Sequence, residues 1–163
     1  MRFCRDHRAG AAGDGSGFGC ARKGDYRERS AACSNLGVMY ETGEGVPKDE
    51  AEAAQWYRKA AEQGHAKAQY YVSYAYHTGI SLPKDEDEAI RWCRKGAEQG
   101  DAQARYPLGV AYANGTGVPK NQDEAVRWWR EAAEQGEAEA QVNLGVAYFN
   151  GDGVPKDAAE SYL

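Results

Sequence analysis

Residues 43–64 read GEGVPKDEAEAAQWYRKAAEQG, and residues 115–136 read GTGVPKNQDEAVRWWREAAEQG. The two stretches are near-copies, and self-similarity at a fixed spacing is the signature of a repeat architecture. The chain repeats every 36 residues without insertion or deletion. Gly37, Ser73, Gly109 and Gly145 share one register; Tyr40, Tyr76, Tyr112 and Tyr148 share another; Pro47, Pro83, Pro119 and Pro155 share a third. Trp56, Trp92 and Trp128 form a fourth series, which the end of the chain at Leu163 cuts off.

Each copy carries two helical patterns. Helix A is predicted near residues 31–42, 67–78, 103–114 and 139–150. In the fourth copy Ala140, Leu144, Ala147 and Tyr148 lie on one helical face. The smallest residues recur inside that face, and a mid-helix glycine costs about 1 kcal/mol against alanine. A neighbouring helix must therefore come close at Gly37, Ser73, Gly109 and Gly145. Gly43, Gly79, Gly115 and Gly151 stop helix A. A GVPKD-like loop follows, whose proline keeps the preceding residue out of helix. Asp49, Asp85, Asn121 and Asp157 then cap helix B, with Glu52, Glu88, Glu124 and Glu160 placed to complete a capping box. Helix B shows an apolar stripe at Ala53, Trp56, Tyr57, Ala60 and Ala61. One hairpin cannot bury both stripes, so hairpins must stack side by side.

The recurring pattern A-x-x-x-L-G-x-x-Y-x-x-G-x-G-V-P-K-D-x-x-x-A-x-x-W-x-x-x-A-A-x-x-G strongly resembles the Sel-1-like repeat family, relatives of the tetratricopeptide repeats. The resemblance covers residues 30–163, as repeats 30–65, 66–101, 102–137 and a truncated 138–163. It implies an all-α fold, a right-handed α-solenoid of antiparallel helical hairpins. It also implies adaptor or scaffold work in protein complexes, often in bacteria. Some secreted members of the family carry one disulfide per repeat, and that regular cysteine pair is missing here.

Three departures from the pattern stand out. Ser81 replaces a loop glycine, and Pro107 falls inside a helix A, where it should kink the first turns or delay the start. The fourth copy stops at AAESYL, early in its helix B. Its helix A is expected to lack cover, so that the end frays or another chain packs there. Residues 1–29 are glycine- and arginine-rich and read as a disordered tail, although residues 20–29 can also be the worn end of an earlier helix B that caps copy one.

The chain has 163 residues and a net charge of −5, a field that repels nucleic acid and anionic membranes. No apolar run approaches the roughly 18 residues that span a bilayer. No signal peptide is visible, which tilts the location toward the cytoplasm. Cys4, Cys20, Cys33 and Cys93 are irregularly spaced and are expected to be free thiols. Cys93 stands in the register of Tyr57 and Trp129 and reads as a small core residue.

Catalytic motifs do not survive their context. Ser81-Leu82-Pro83-Lys84 spells S-x-x-K, but the register puts it in a loop rather than on a helix. GDGSGFG in the tail fits no phosphate-binding spacing. His7, His65 and His77 lack paired metal-ligand spacing, so neither metal nor cofactor is expected. Asn114-Gly115-Thr116 is a sequon expected to be incidental.

The informative positions vary while the frame stays fixed. They form a second face of helix A, expected to be concave, where Tyr70, Tyr74, His77, Tyr106 and Phe149 would anchor a partner and Asn35 and Asn143 would bind its backbone. The expected partner is another protein, offered as an extended peptide or a helix. Two alternatives remain at this level. The tyrosines can instead pack between hairpins, and the chain can self-associate through its open C-terminal end.

Overall fold

The computed structural model describes residues 26–157. Seven helices and no strand occur among them. They are α1 (Tyr26–Thr42), α2 (Glu50–Glu62), α3 (Ala66–Thr78), α4 (Glu86–Glu98), α5 (Ala102–Asn114), α6 (Gln122–Ala133) and α7 (Ala138–Asn150). Helices α1, α3, α5 and α7 are the A helices. Each of α2, α4 and α6 packs most closely on the A helix before it, then on the A helix after it. The result is a stack of hairpins, an all-α solenoid. Residues 26–29 open α1; the remainder of the predicted tail and the expected start of the fourth helix B at 158–163 lie outside the described residues.

The loop chemistry repeats as closely as the helices do. Asp49, Asp85 and Asn121 each accept a hydrogen bond from the backbone N–H three residues on, at 3.0, 3.0 and 3.2 Å. The second half of the predicted capping box is replaced. The backbone N–H of Asp49, Asp85, Asn121 and Asp157 donates instead to the carbonyl of Tyr40, Tyr76, Tyr112 and Tyr148, at 2.9–3.0 Å. This bond crosses the whole A-to-B loop and fixes the angle between the helices. It leaves the acids at Glu88 and Glu124 free to pair with Arg91 and Arg127. Ser81 adopts φ +66°, beside values of +76°, +64° and +71° at Gly45, Gly117 and Gly153. The loop shape is thus imposed on a residue that does not favour it.

The expected effect of Pro107 on the helix start is corrected. α5 begins at Ala102 and runs 13 residues, in register with α3 and α7. Stacking against α4 and α6 overrides the local defect. Beside the proline, the Cys93 thiol of α4 donates to the carbonyl of Ala104 at 3.0 Å.

The interior is built of small residues and rings. Ala60, Ala68, Ala104, Ala125, Ala132 and Ala140 are fully buried, and Leu108, Val72 and Val126 are nearly so. At Gly37, Ser73 and Gly109 the series meets its expected neighbour. A Cβ added at Gly37 would lie 2.7 Å from the Tyr57 ring, and one at Gly109 would lie 2.5 Å from Trp129 Cδ1. Tyr57 and Trp129 of the B helices thus press a ring on the bare backbone of the A helix before them. At Ser73, the one position in this series with a side chain, the facing residue is the small Cys93.

The contact at Gly109 yields a stability prediction. Alanine gains about 1 kcal/mol of helix propensity over glycine. It also drives a methyl into Trp129 with the Ala125 carbonyl 3.1 Å away on the other side, and overpacking of this kind costs about 1–3 kcal/mol. Gly109→Ala is expected to lower the midpoint of urea unfolding, followed by far-UV circular dichroism. An increase would show that the ring does not depend on the bare backbone.

Candidate functional site: a tyrosine-lined groove on the A helices

Besides their hairpin partners, α3 and α5 pack directly on each other, a contact that successive B helices do not match. α3 and α5 thus present one continuous side of the stack. α3 points Tyr70, Tyr74 and His77 along this side, and α5 adds Tyr106 and Val110. These side chains line a cavity of about 370 Å³ between the two helices, and Glu86 from the first turn of α4 closes one edge. A similar hollow of about 240 Å³ lies one repeat earlier, between Glu41, Tyr57 and Tyr71, and Tyr74 borders both. The two hollows form one groove with Tyr74 as the ridge between them.

Of the seven residues predicted to bind, the structure brings Tyr70, Tyr74, His77 and Tyr106 together. Asn35 is exposed on α1, and Asn143 is half-buried on α7; neither lines the cavity. Phe149 is 58% exposed near the far end of α7, with the Lys156 ammonium 5.3 Å from its ring. The tyrosines divide between the two roles that the sequence left open. Tyr70 packs partly on the Cys93–Leu108–Trp128 cluster, and Tyr106 partly on the α6–α7 cluster. Tyr74 is 51% exposed and stands in the groove. The hydroxyls of all three make no hydrogen bond to the described residues and are available to a ligand.

The polar edge is a paired one. His77 Nδ1 lies 3.0 Å from Glu86 Oε2, and the Lys84 ammonium lies 3.5 Å from Oε1 of the same carboxylate. The hydrogen bond from His77, then the nearby charges of His77 and Lys84, hold the Glu86 carboxyl below its usual range, and its slight burial only partly opposes this. Ser81 is exposed in the α3–α4 loop at the edge of the smaller hollow. Among the described residues no cluster of histidine, cysteine or acidic side chains is placed to hold a metal, and no helix is long and apolar enough to cross a membrane.

The floor of the larger cavity is Ser73 and Cys93. The binding reading of the sequence missed Cys93, Pro107 and Glu86, although Cys93 was visible as the one small residue in a series of rings. The expectation of four free thiols is corrected at Cys33, which is disulfide-bonded. Cys93 is free and buried.

A stack of in-phase helical hairpins with a lined inner groove defines an α-solenoid repeat protein. The Sel1 repeat profile matches residues 30–65, 66–101, 102–137 and 138–162, and the chain belongs to the Sel1 repeat family. Proteins of this family are generally protein-interaction scaffolds. A Sel1 repeat protein from Oxalobacter formigenes is similar over 83% of this chain and 57% of its own, with 42% identity and a TM-score of 0.76. c5321, a protective antigen of uropathogenic Escherichia coli strains that displays an SLR fold, is similar over 81% of this chain and 28% of its own, with 41% identity and a TM-score of 0.74. The chain thus spans little more than half of one relative and little more than a quarter of the other. Cysteine-rich protein B of Helicobacter pylori, at 21% identity, 70% of this chain, 88% of its own and a TM-score of 0.58, shares the fold. No curated protein sequence matches the chain.

Burial pushes the Cys93 thiol up to about 12, so almost none of it is thiolate at neutral pH. Iodoacetamide at about pH 8 is expected to leave Cys93 unmodified in the folded protein and to label it fully in denaturant. Peptide mass spectrometry reads this site by site. Labelling of the native protein at Cys93 would mean that the cavity floor opens to solvent.

Proposed function

We infer that the chain is a non-catalytic scaffold that holds another protein, as an extended peptide or a helix, along the concave A-helix face. The observation that carries this reading is Tyr74, a large ring half exposed on a rigid helix between two hollows. Exposed aromatic surface of this kind marks contact sites, and tyrosine is enriched among the residues that dominate binding energy. Tyr70, His77 and Tyr106 flank it, and Asn35, Asn143 and Phe149 extend the same face toward both ends. With helices closing the backbone hydrogen bonds, the face is presented with little entropy left to lose on binding.

Replacing both Tyr70 and Tyr74 by alanine is expected to weaken partner capture by residues 30–163 by roughly 30-fold or more, as loss of central aromatic anchors does elsewhere. Circular dichroism should remain helical. Undiminished capture by the folded double variant would remove the groove from the account.

A second reading has its own observation. On α7, Val142, Val146 and Phe149 are 65%, 52% and 58% exposed, in a line at helical spacing. One repeat earlier, Tyr106, Val110 and Ala113 hold the same register and pack on the next hairpin. The α7 face therefore suits a hairpin of a second copy. Sedimentation equilibrium is expected to show concentration-dependent dimers that Val142→Asp with Val146→Asp abolishes. A wild-type monomer throughout the range would exclude self-association at this end.

A further inference from the structure

Each hairpin contains the same seat, and the chain itself shows what belongs in it. In the first hairpin the Tyr57 ring rests on Gly37, which a Cβ would bring within 2.7 Å of it. The ring stacks on Tyr71 of the next repeat, with centroids 4.4 Å apart and planes at 12°. Its hydroxyl donates to the Glu41 carboxylate. In the third hairpin the Trp129 ring rests on Gly109. The positions that correspond to Tyr71 and Glu41 are there Asn143 and Ala113, and the indole N–H finds no acceptor. A ring with a hydroxyl thus goes with an acceptor at the far end of the seat, and a ring without one goes with alanine.

The second hairpin has the seat without the ring. By the 36-residue register, Ser73 stands for Gly37, Pro107 for Tyr71, His77 for Glu41 and Cys93 for Tyr57. All four line the cavity of about 370 Å³. The corresponding hollow beside Tyr57 is about 240 Å³, and the larger one has Cys93, Pro107 and Val110 where the first has the rings of Tyr57, Tyr71 and Tyr74. His77 pairs with Glu86 through Nδ1, which leaves Nε2 as the ring atom for a further partner. In the neutral imidazole, an Nδ1–H directed at the carboxylate leaves Nε2 as an acceptor.

We propose that this seat takes a tyrosine side chain of the bound protein, its ring over Ser73 and Cys93 against Pro107 and its hydroxyl on His77 Nε2. The proposal rests on the scaffold reading and gives the partner a chemical signature: a segment that presents a phenol ring into the middle of the groove. Proline offers a flat apolar face to an aromatic ring, and Tyr70 and Tyr74 supply the walls. The hydroxyl requirement separates tyrosine from phenylalanine, because a site built around a polar acceptor rejects a ligand that leaves it unpaired.

The test uses the whole chain and three small probes: N-acetyltyrosinamide, N-acetylphenylalaninamide and N-acetyltryptophanamide. Binding is followed by the amide NMR shifts of residues around Ser73, His77, Cys93 and Val110. The tyrosine probe is expected to bind roughly three- to tenfold more tightly than the phenylalanine probe, the range one hydrogen bond provides. His77→Ala, on an exposed side chain, should erase that preference while leaving the fold intact. Ser73→Gly with Cys93→Tyr rebuilds the first hairpin's pair, fills the seat from within, and should abolish binding of all three probes with helicity retained.

Equal affinity for the tyrosine and phenylalanine probes would overturn the assignment to tyrosine, as would binding that persists in the filled double variant. So would no binding by any probe. In each of those cases the separate loss of partner capture by the Tyr70→Ala, Tyr74→Ala variant would leave the groove reading standing. Capture that survived that variant would remove the groove instead.

Discussion

A flat ring laid on a bare stretch of backbone sets the spacing between the two helices of a hairpin. Tyr57 on Gly37 and Trp129 on Gly109 leave no room for a methyl group. Helices can approach this closely only where the ridge of one is missing, and the ring then fills the groove so made. The rest of the structure inherits that distance. The loop bond from the Asp49, Asp85 and Asn121 amides to the tyrosine carbonyls is 2.9–3.0 Å in each repeat. The buried alanines on both sides of the ring can be no larger for the same reason.

Repetition turns that local constraint into curvature. Each B helix packs on two A helices, but α3 also reaches α5. The indoles of the B helices, Trp56, Trp92 and Trp128, are buried. The indoles are shielded in turn by aliphatic stems that end in charge. Lys59 and Lys95 sit about 4 Å over Trp56 and Trp92, and Arg127 sits 5.2 Å over Trp128. Among the described residues the exposed large apolar side chains are Val38, Tyr74 and Ile80, with Val142, Val146 and Phe149 on α7.

The helices, their caps and their stacking were legible in the sequence because each depends on residues that recur in phase. Gly79, Gly115 and Gly151 are in the left-handed conformation at helix ends where the pattern placed them. What the pattern misjudged was local chemistry set by tertiary packing. Pro107 neither delays nor shortens α5, because neighbours on both sides hold it. The starts of α3 and α5 are capped by His65 and Asp101, whose side chains accept from the N–H three residues on. These caps sit in a three-residue turn that carries no proline to announce it. Of the site, Tyr70, Tyr74, His77 and Tyr106 were readable as a variable helical face. Glu86 was not, since it belongs to another helix and reaches His77 only once the loop is folded.

The cavity lies where the sequence breaks its own rule, and that coincidence has a physical cause. In the first hairpin the ring fills the seat, and a smaller hollow remains beside it. Removing the ring at Cys93 sacrifices buried apolar area and leaves a hollow that, alone, destabilises the hairpin. The second hairpin can bear this because it is flanked on both sides, by α2 and by α5, and keeps Trp92, Ala89 and Ala97 buried. Ser73 recovers part of the lost volume and Cys93 binds the carbonyl of Ala104, so the floor stays ordered. The same loss in a hairpin with one neighbour would have no such support. Of the two hollows along the groove, the larger is the one in this repeat.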